Sequence, residues 1–194
     1  MKKNIISQPL HLTLKNLLAW FKKSNFPGII IGGMAVSFLG SPRTTQDIDA
    51  LVFIDETDWK KFLTIGKSFN FQPRIKNVLE FAEKNRVLLI RHQYTKIDID
   101  ISFGILPFEE ETIKRAKIIK IANFNIPLPT PEDLIIMKSV AHRPIDLEDI
   151  RCILKTNPKI DKKRIEYWLK QFSEILEKPE IWLDIKKLYN IIKT

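Results

Sequence analysis

The run Lys96-Ile97-Asp98-Ile99-Asp100-Ile101 alternates strictly between apolar and charged residues. That period of two fits a strand with one buried face and does not fit a helix. Burying Ile97, Ile99 and Ile101 turns Asp98 and Asp100 onto the opposite face. A second run, Asp47 to Ile54, is β-branched and apolar and opens with Asp47-Ile48-Asp49. Side chains two apart on a strand share a face, so it also begins with paired carboxylates. Such a pair repels itself unless a divalent cation lies between the oxygens or one carboxyl takes up a proton. Hard oxygen ligands at a strand end suit Mg²⁺, which accepts one or two protein carboxylates plus substrate phosphates.

The rest of the chain supplies a frame for these two strands. Leu10, Leu14, Leu17, Leu18 and Phe21 recur at helical spacing, which predicts an amphipathic helix over residues 9–24. Pro27-Gly28 ends it, and Ile29-Ile30-Ile31 reads as a short buried strand. Gly32-Gly33 then opens a helix from Met34 to Leu39, which stops at Gly40-Ser41-Pro42. Residues 56–70 read as a helix with Trp59, Phe62, Leu63 and Phe69 on one face. Arg86–His92 and Lys96–Ser102 form a hairpin across a short polar turn. A helix over Phe108–Ala116 and an extended pair around Asn123–Asn125 follow. Thr130-Pro131-Glu132-Asp133 is a helix start, with a capping residue, Pro in the first turn and early acids. Beyond it the pattern is helical throughout. The expected organisation is a mixed α/β (α+β) core over residues 1–129 and a helical region over 130–194.

Gly32-Gly33 falls where a buried strand becomes a helix. That junction offers free backbone N–H groups and a helix N-terminus, and the missing β-carbons let phosphate oxygens come close. With Arg43 nearby, the glycines and the metal-binding pair describe a site for a nucleoside triphosphate. The net charge of +9, from 32 Lys+Arg against 23 Asp+Glu, favours polyanionic partners. Arg151 to Thr194 is the most one-sided stretch, with eleven basic residues against six acidic. A single cysteine, Cys152, excludes an internal disulfide and a multi-Cys zinc site. The apolar runs are too short to cross a bilayer and no signal-peptide pattern is visible, so a cytoplasmic location and no membrane partner are expected. His11, His92 and His142 lack ligand spacing and are expected to be structural.

Gly32-Gly-x-Ala35, then Gly40-x-x-Arg43-x-Thr45-x-Asp47-Ile48-Asp49, then a later strand Asp resembles the DNA polymerase β-type nucleotidyltransferase superfamily. More narrowly it resembles the bacterial branch that holds abortive-infection (AbiEii-like) toxins and antibiotic nucleotidyltransferases. Pro129-Thr130-Pro131-Glu132-Asp133-Leu134, with Lys138, Ala141, Arg143, Asp146 and Asp149, is similar to that branch's later segment. The resemblance runs from about Ile29 to Leu154. His142 departs from it, standing where the branch usually has Gly.

This resemblance implies a mixed-sheet polymerase β-type nucleotidyltransferase core followed by helices that close one wall of a cleft. Asp47, Asp49 and Asp100 would be catalytic and would hold Mg²⁺, two ions in all. Asp98 stays open as the third carboxylate, although Pro107-Phe108-Glu109 places Asp100 better. Gly32, Gly33, Arg43, Thr45 and Lys138 would bind the nucleotide, ATP or GTP among the possibilities. Asp146 or Asp149 would complete the site. The implied activity is transfer of a nucleotidyl group from a nucleoside triphosphate to a hydroxyl on RNA, such as a tRNA, or on another macromolecule. A toxin role with an antitoxin protein as partner would accompany it. The alternatives are a small-molecule antibiotic acceptor and a non-catalytic nucleotide- or RNA-binding module.

Overall fold

The structure, a computed structural model, describes residues 7–42, 44–121 and 124–192. The first helix, α1 (Gln8–Ser24), starts where Ser7 Oγ accepts the Leu10 N–H, with Pro9 in the first turn. It buries Leu10, Leu14, Leu17, Trp20 and Phe21. Asn25, in the left-handed conformation, ends it and turns the chain into strand β1 (Gly28–Ile30). Helix α2 (Gly32–Leu39) follows at once, so both glycines lie inside its first turn rather than before it.

Strand β2 (Asp47–Phe53) leads to a 3₁₀ turn at Glu56–Asp58 and helix α3 (Trp59–Lys67). The expected single helix over residues 56–70 is therefore split and shorter. Its N-terminal turn is capped by Asp55, whose Oδ1 accepts the Thr57 N–H, and Asn70 leaves helical geometry at φ 66°. Two elements then appear that the periodicity did not predict, strand β3 (Phe71–Pro73) and helix α4 (Val78–Asn85). The hairpin is present as β4 (Val87–His92) and β5 (Asp98–Gly104), closed by Lys96 at φ 61°. Helix α5 (Pro107–Lys114) precedes the extended pair β6 (Lys117–Ile121) and β7 (Phe124–Leu128). Position 123 of its turn lies outside the described residues. Helices α6 (Pro131–Ala141), α7 (Pro144–Thr156), α8 (Lys162–Ile175) and α9 (Glu180–Ile192) complete the chain.

Five strands form one mixed sheet in the order β1-β2-β5-β4-β3, in which β2 and β5 are parallel and the other neighbours antiparallel. β6 and β7 make a separate ribbon beside β1. One face of the sheet is covered by aromatic packing. The Trp20 ring stacks on Phe62 with centroids 4.3 Å apart, and its Nε1–H donates to the Phe62 carbonyl at 3.0 Å. Trp59 stacks on Phe103 at 4.4 Å. Rings of this size bury the most apolar area per residue and fix the inter-element geometry. The start of the helical region is anchored by a buried carboxylate. Asp133 accepts from Thr130 Oγ1 and from Arg164 Nε at 2.8 and 2.7 Å, while Arg164 Nη1 reaches Glu111 of α5 at 2.9 Å. Among the described residues no helix is long and apolar enough to cross a membrane.

Candidate active site

The parallel pairing of β2 and β5 decides the chemistry. Its register sets Asp47 opposite Asp98 and Asp49 opposite Asp100. Ile48, Ile99 and Ile101 are fully buried on the other face. Four carboxylates therefore crowd the starts of two neighbouring strands. Thr45 Oγ1 lies 2.9 Å from Asp47 Oδ1 and 3.0 Å from the Asp47 carbonyl oxygen, pinning the exposed member of the set.

Asp49 is held from the β1–α2 junction. The Ile31 N–H donates to the Asp49 carbonyl at 2.9 Å, and the Gly33 N–H donates to its carboxylate. Between them Gly32 takes φ +61°, and a β-carbon there would stand 1.8 Å from Asp49 Oδ2. Only glycine meets both conditions. Burial, then the charges of Asp47 and Asp100, push the Asp49 carboxyl above 3.8, with Lys138 opposing.

On the β5 side two arginines intervene. Arg74, just after β3, places Nη1 2.8 Å from Asp98 Oδ2 and Nη2 against Asp100 Oδ1. Its own N–H donates to the Leu89 carbonyl at 3.0 Å, which fixes its backbone. Arg91 stands opposite Asp98 in the hairpin and grips both its oxygens. The Arg91 hydrogen bonds, aided by Arg74, hold the Asp98 carboxyl down at about 2. Burial moves Asp100 the other way, above 3.8, against the pull of Arg74.

The helical wall contributes a buried ionic knot. Lys138 Nζ of α6 lies 2.8 Å from Asp146 Oδ1 and 2.9 Å from Asp149 Oδ2, both on α7. Asp146 is fully buried and also accepts from Arg143 Nε at 2.7 Å and from the Arg143 N–H at 3.2 Å. Burial pushes its carboxyl up, but the Arg143 and Lys138 hydrogen bonds outweigh this and bring it to about 2. Arg143 itself is 66% exposed and feels the charges of Asp49 and Asp149. His142 ends α6 at φ 52°, the left-handed cap that explains a Gly preference at this turn.

The structure thus brings Asp47, Asp49, Asp98, Asp100, Gly32, Gly33 and Thr45 together, with Lys138 within electrostatic reach of Asp49. Asp146 and Asp149 both bind Lys138. Arg43 lies outside the described residues. The sequence did not single out Arg74, Arg91 or Arg143 as site residues. Arg143 sat inside the second motif, and counting back across the hairpin turn would have set Arg91 opposite Asp98. The short β3 offers no comparable signal for Arg74.

Among the described residues no three His, Cys, Asp or Glu side chains are gathered closely enough to enclose an ion. The donor set nevertheless fits Mg²⁺: hard carboxylate oxygens, Asp47 and Asp49 two apart on one strand and Asp100 beside Asp49 on the next, with the charged forms of Asp49 and Asp100 disfavoured first by burial.

A family model described as "Nucleotidyltransferase of unknown function (DUF6036)" matches residues 13–154. The chain belongs to this family. The match spans both motifs and every carboxylate above, and the protein is a nucleotidyltransferase with the mixed-sheet fold of the polymerase β-type superfamily. Similar solved structures include the antibiotic-resistance factor ANT(2'')-Ia, at TM-score 0.59 and 16% identity over 86% of this chain and 93% of that one. An antigenic nucleotidyltransferase-like protein from Paracoccidioides brasiliensis gives 0.53 and 15% over 94% and 93%. The lincosamide antibiotic adenylyltransferase LnuA gives 0.52 and 14% over 76% and 96%. At these identities the likeness is one of fold. No curated protein is matched by sequence.

Proposed function

We propose that this nucleotidyltransferase moves a nucleotidyl group from a nucleoside triphosphate to a hydroxyl of RNA. The observation that carries the reading is the register of Asp47-x-Asp49 against Asp98-x-Asp100, closed over by the Gly32–Gly33 turn. Asp47 and Asp49 would hold Mg²⁺, with Asp100 serving a second ion on the acceptor side. Bound there, Mg²⁺ supplies charge neutralisation for the transferring phosphoryl group and the leaving pyrophosphate. The glycine turn offers the triphosphate a close approach to backbone. Lys138 and the exposed Arg143 supply positive potential beside Asp49, and Arg43 is a further candidate for the phosphates. Asp100, whose carboxyl is pushed up by burial, is suited to accept the proton of the attacking hydroxyl. Asp146 and Asp149 act through Lys138, which they orient, and Asp146 orients Arg143 as well. Thr45 orients Asp47. Residues 1–129 would form the catalytic core and residues 130–194 the cleft's second wall.

The acceptor is read from charge. The surplus of +9 and exposed guanidiniums on both flanks of the carboxylates, Arg143 and Arg91, suit a polyanion. A small-molecule acceptor is the second reading, favoured by the antibiotic-modifying structures of similar fold. A purely binding module would gain nothing from converging carboxylates. The test is incubation with each α-³²P-labelled nucleoside triphosphate, Mg²⁺ and total RNA. Label in RNA that Asp49→Asn abolishes supports the reading. Label in no macromolecule, with turnover on an aminoglycoside or lincosamide, replaces it with the second. Growth arrest on expression, relieved by a co-expressed partner, is the measurement for a toxin role.

A further inference from the structure

The geometry points to Arg74 as a resident counter-ion of Asp100 that the acceptor-side divalent cation has to displace. This rests on the proposed metal reading and concerns a residue to which that reading gives no part. The four carboxylates are unequally served. Asp47 and Asp49 are held by neutral donors, Thr45 and the Gly33 N–H. Asp98 and Asp100 are held by guanidinium groups, with Arg74 bridging the two and Arg91 on Asp98 alone. A guanidinium spanning two carboxylates does electrostatically what a divalent cation would do between them. Arg74 is anchored at its backbone by Leu89 and is only 23% exposed, so it is built into the sheet edge.

The two ion positions therefore differ in what they ask of the protein. At Asp47 and Asp49 the contacts among the described residues are to Thr45 and the Gly33 N–H, with Lys138 acting on Asp49 only through its charge. At Asp100 a cation competes with Nη2 of Arg74, which must let go of Oδ1 while Nη1 keeps Asp98 Oδ2. Asp98 is then the tether that retains Arg74, and Arg91 keeps Asp98 in place. This makes the acceptor-side ion the weaker one, to be recruited together with substrate phosphates. Arg74 is a positioning residue and touches no substrate in this scheme.

The test is a titration of the purified full chain with Mn²⁺ alone, free ion being read by electron paramagnetic resonance. The wild type is expected to show one tight and one weak site. Arg74→Gln is expected to tighten the weak site by about tenfold or more, the scale of removing one nearby unit charge in a water-like dielectric. Arg74→Lys keeps the charge but cannot span both carboxylates, and is expected to tighten it by less. If Arg74→Gln does not fold, the lysine variant is compared with wild type directly. A weak site unchanged or weakened in folded variants overturns the assignment and leaves Arg74 a staple between strands. Asp49→Asn should abolish the tight site. If it retains both sites, the metal reading falls and this inference with it, whereas loss of the tight site with an indifferent Arg74 variant removes the inference alone.

Discussion

Gly32 and Asp49 are in contact at a place where no other residue than glycine fits: a β-carbon at position 32 would lie 1.8 Å from Asp49 Oδ2, and φ there is +61°. One position thus combines two demands, backbone handedness and proximity to a carboxylate. The strand-to-helix turn and the carboxylate strand are locked together, and Asp49 cannot change rotamer without disturbing the turn.

Gly32→Ala follows directly. The left-handed backbone costs a non-glycine residue about 1–2 kcal/mol, before the methyl group displaces the carboxylate. A catalytic group moved by about 1 Å loses roughly 100-fold in rate, so transfer activity should fall at least that far. Thermal unfolding and labelled-nucleotide transfer, measured together, check it. An active and fully stable Gly32→Ala would contradict the contact.

Asp49→Asn separates activity from stability. Asp49 is disfavoured as an anion by burial and by Asp47 and Asp100. Neutralising it relieves that repulsion, so the variant should melt at or above the wild-type temperature in chelator-treated buffer. Transfer should drop by about 10³-fold or more, because an ion ligand is lost. A variant that loses stability and activity in parallel would show that Asp49 is structural.

The contrast between Asp100 and Arg74 shows what a sequence exposes and what it hides. Asp98 and Asp100 were legible because strict alternation with Ile97, Ile99 and Ile101 allows only one burial pattern. Gly32 and Gly33 were legible because phosphate chemistry and backbone handedness both ask for glycine. Arg74 was not, since it follows a three-residue edge strand ending in Pro73, too short to show a period. Helix α4 buries only Val78 and Ala82, which is likewise too little to make a stripe. Lys138 was read as a phosphate counter-charge from the resemblance. Its burial between Asp146 and Asp149 is a tertiary fact that helical spacing alone does not carry.

That buried knot gives a stability prediction. Lys138→Met removes the Lys138 contact from both Asp149 and Asp146, while Asp146 keeps its bonds from Arg143. Breaking a buried pair from one side costs about 3–5 kcal/mol. The same knot sets an acid limit. The Asp146 carboxyl is depressed to about 2 from 3.8, so its contribution is present above pH 3.8 and is lost as pH falls toward about 2. Urea unfolding of wild type and Lys138→Met at pH 7 and at acid pH should show the gap narrowing as Asp146 protonates.

His92 sets the pH dependence in the range nearer neutrality. It is fully buried, with Asn16 Nδ2 2.9 Å from Nε2, Thr95 Oγ1 2.9 Å from Nδ1 and the Phe71 ring edge-on at 5.2 Å. Neither ring nitrogen faces a carboxylate in these contacts, and burial pushes the imidazole below its ordinary 6.5. Below pH 6.5 the unfolded chain takes up a proton that the folded chain refuses, so stability is full above 6.5 and declines as pH falls through the folded value. One proton of difference gives at most about 1.4 kcal/mol per pH unit. His92→Gln keeps a hydrogen-bonding amide but cannot titrate. Its unfolding free energy should therefore lose this slope as pH falls below 6.5. A slope equal to that of the wild type would place the titration on another group.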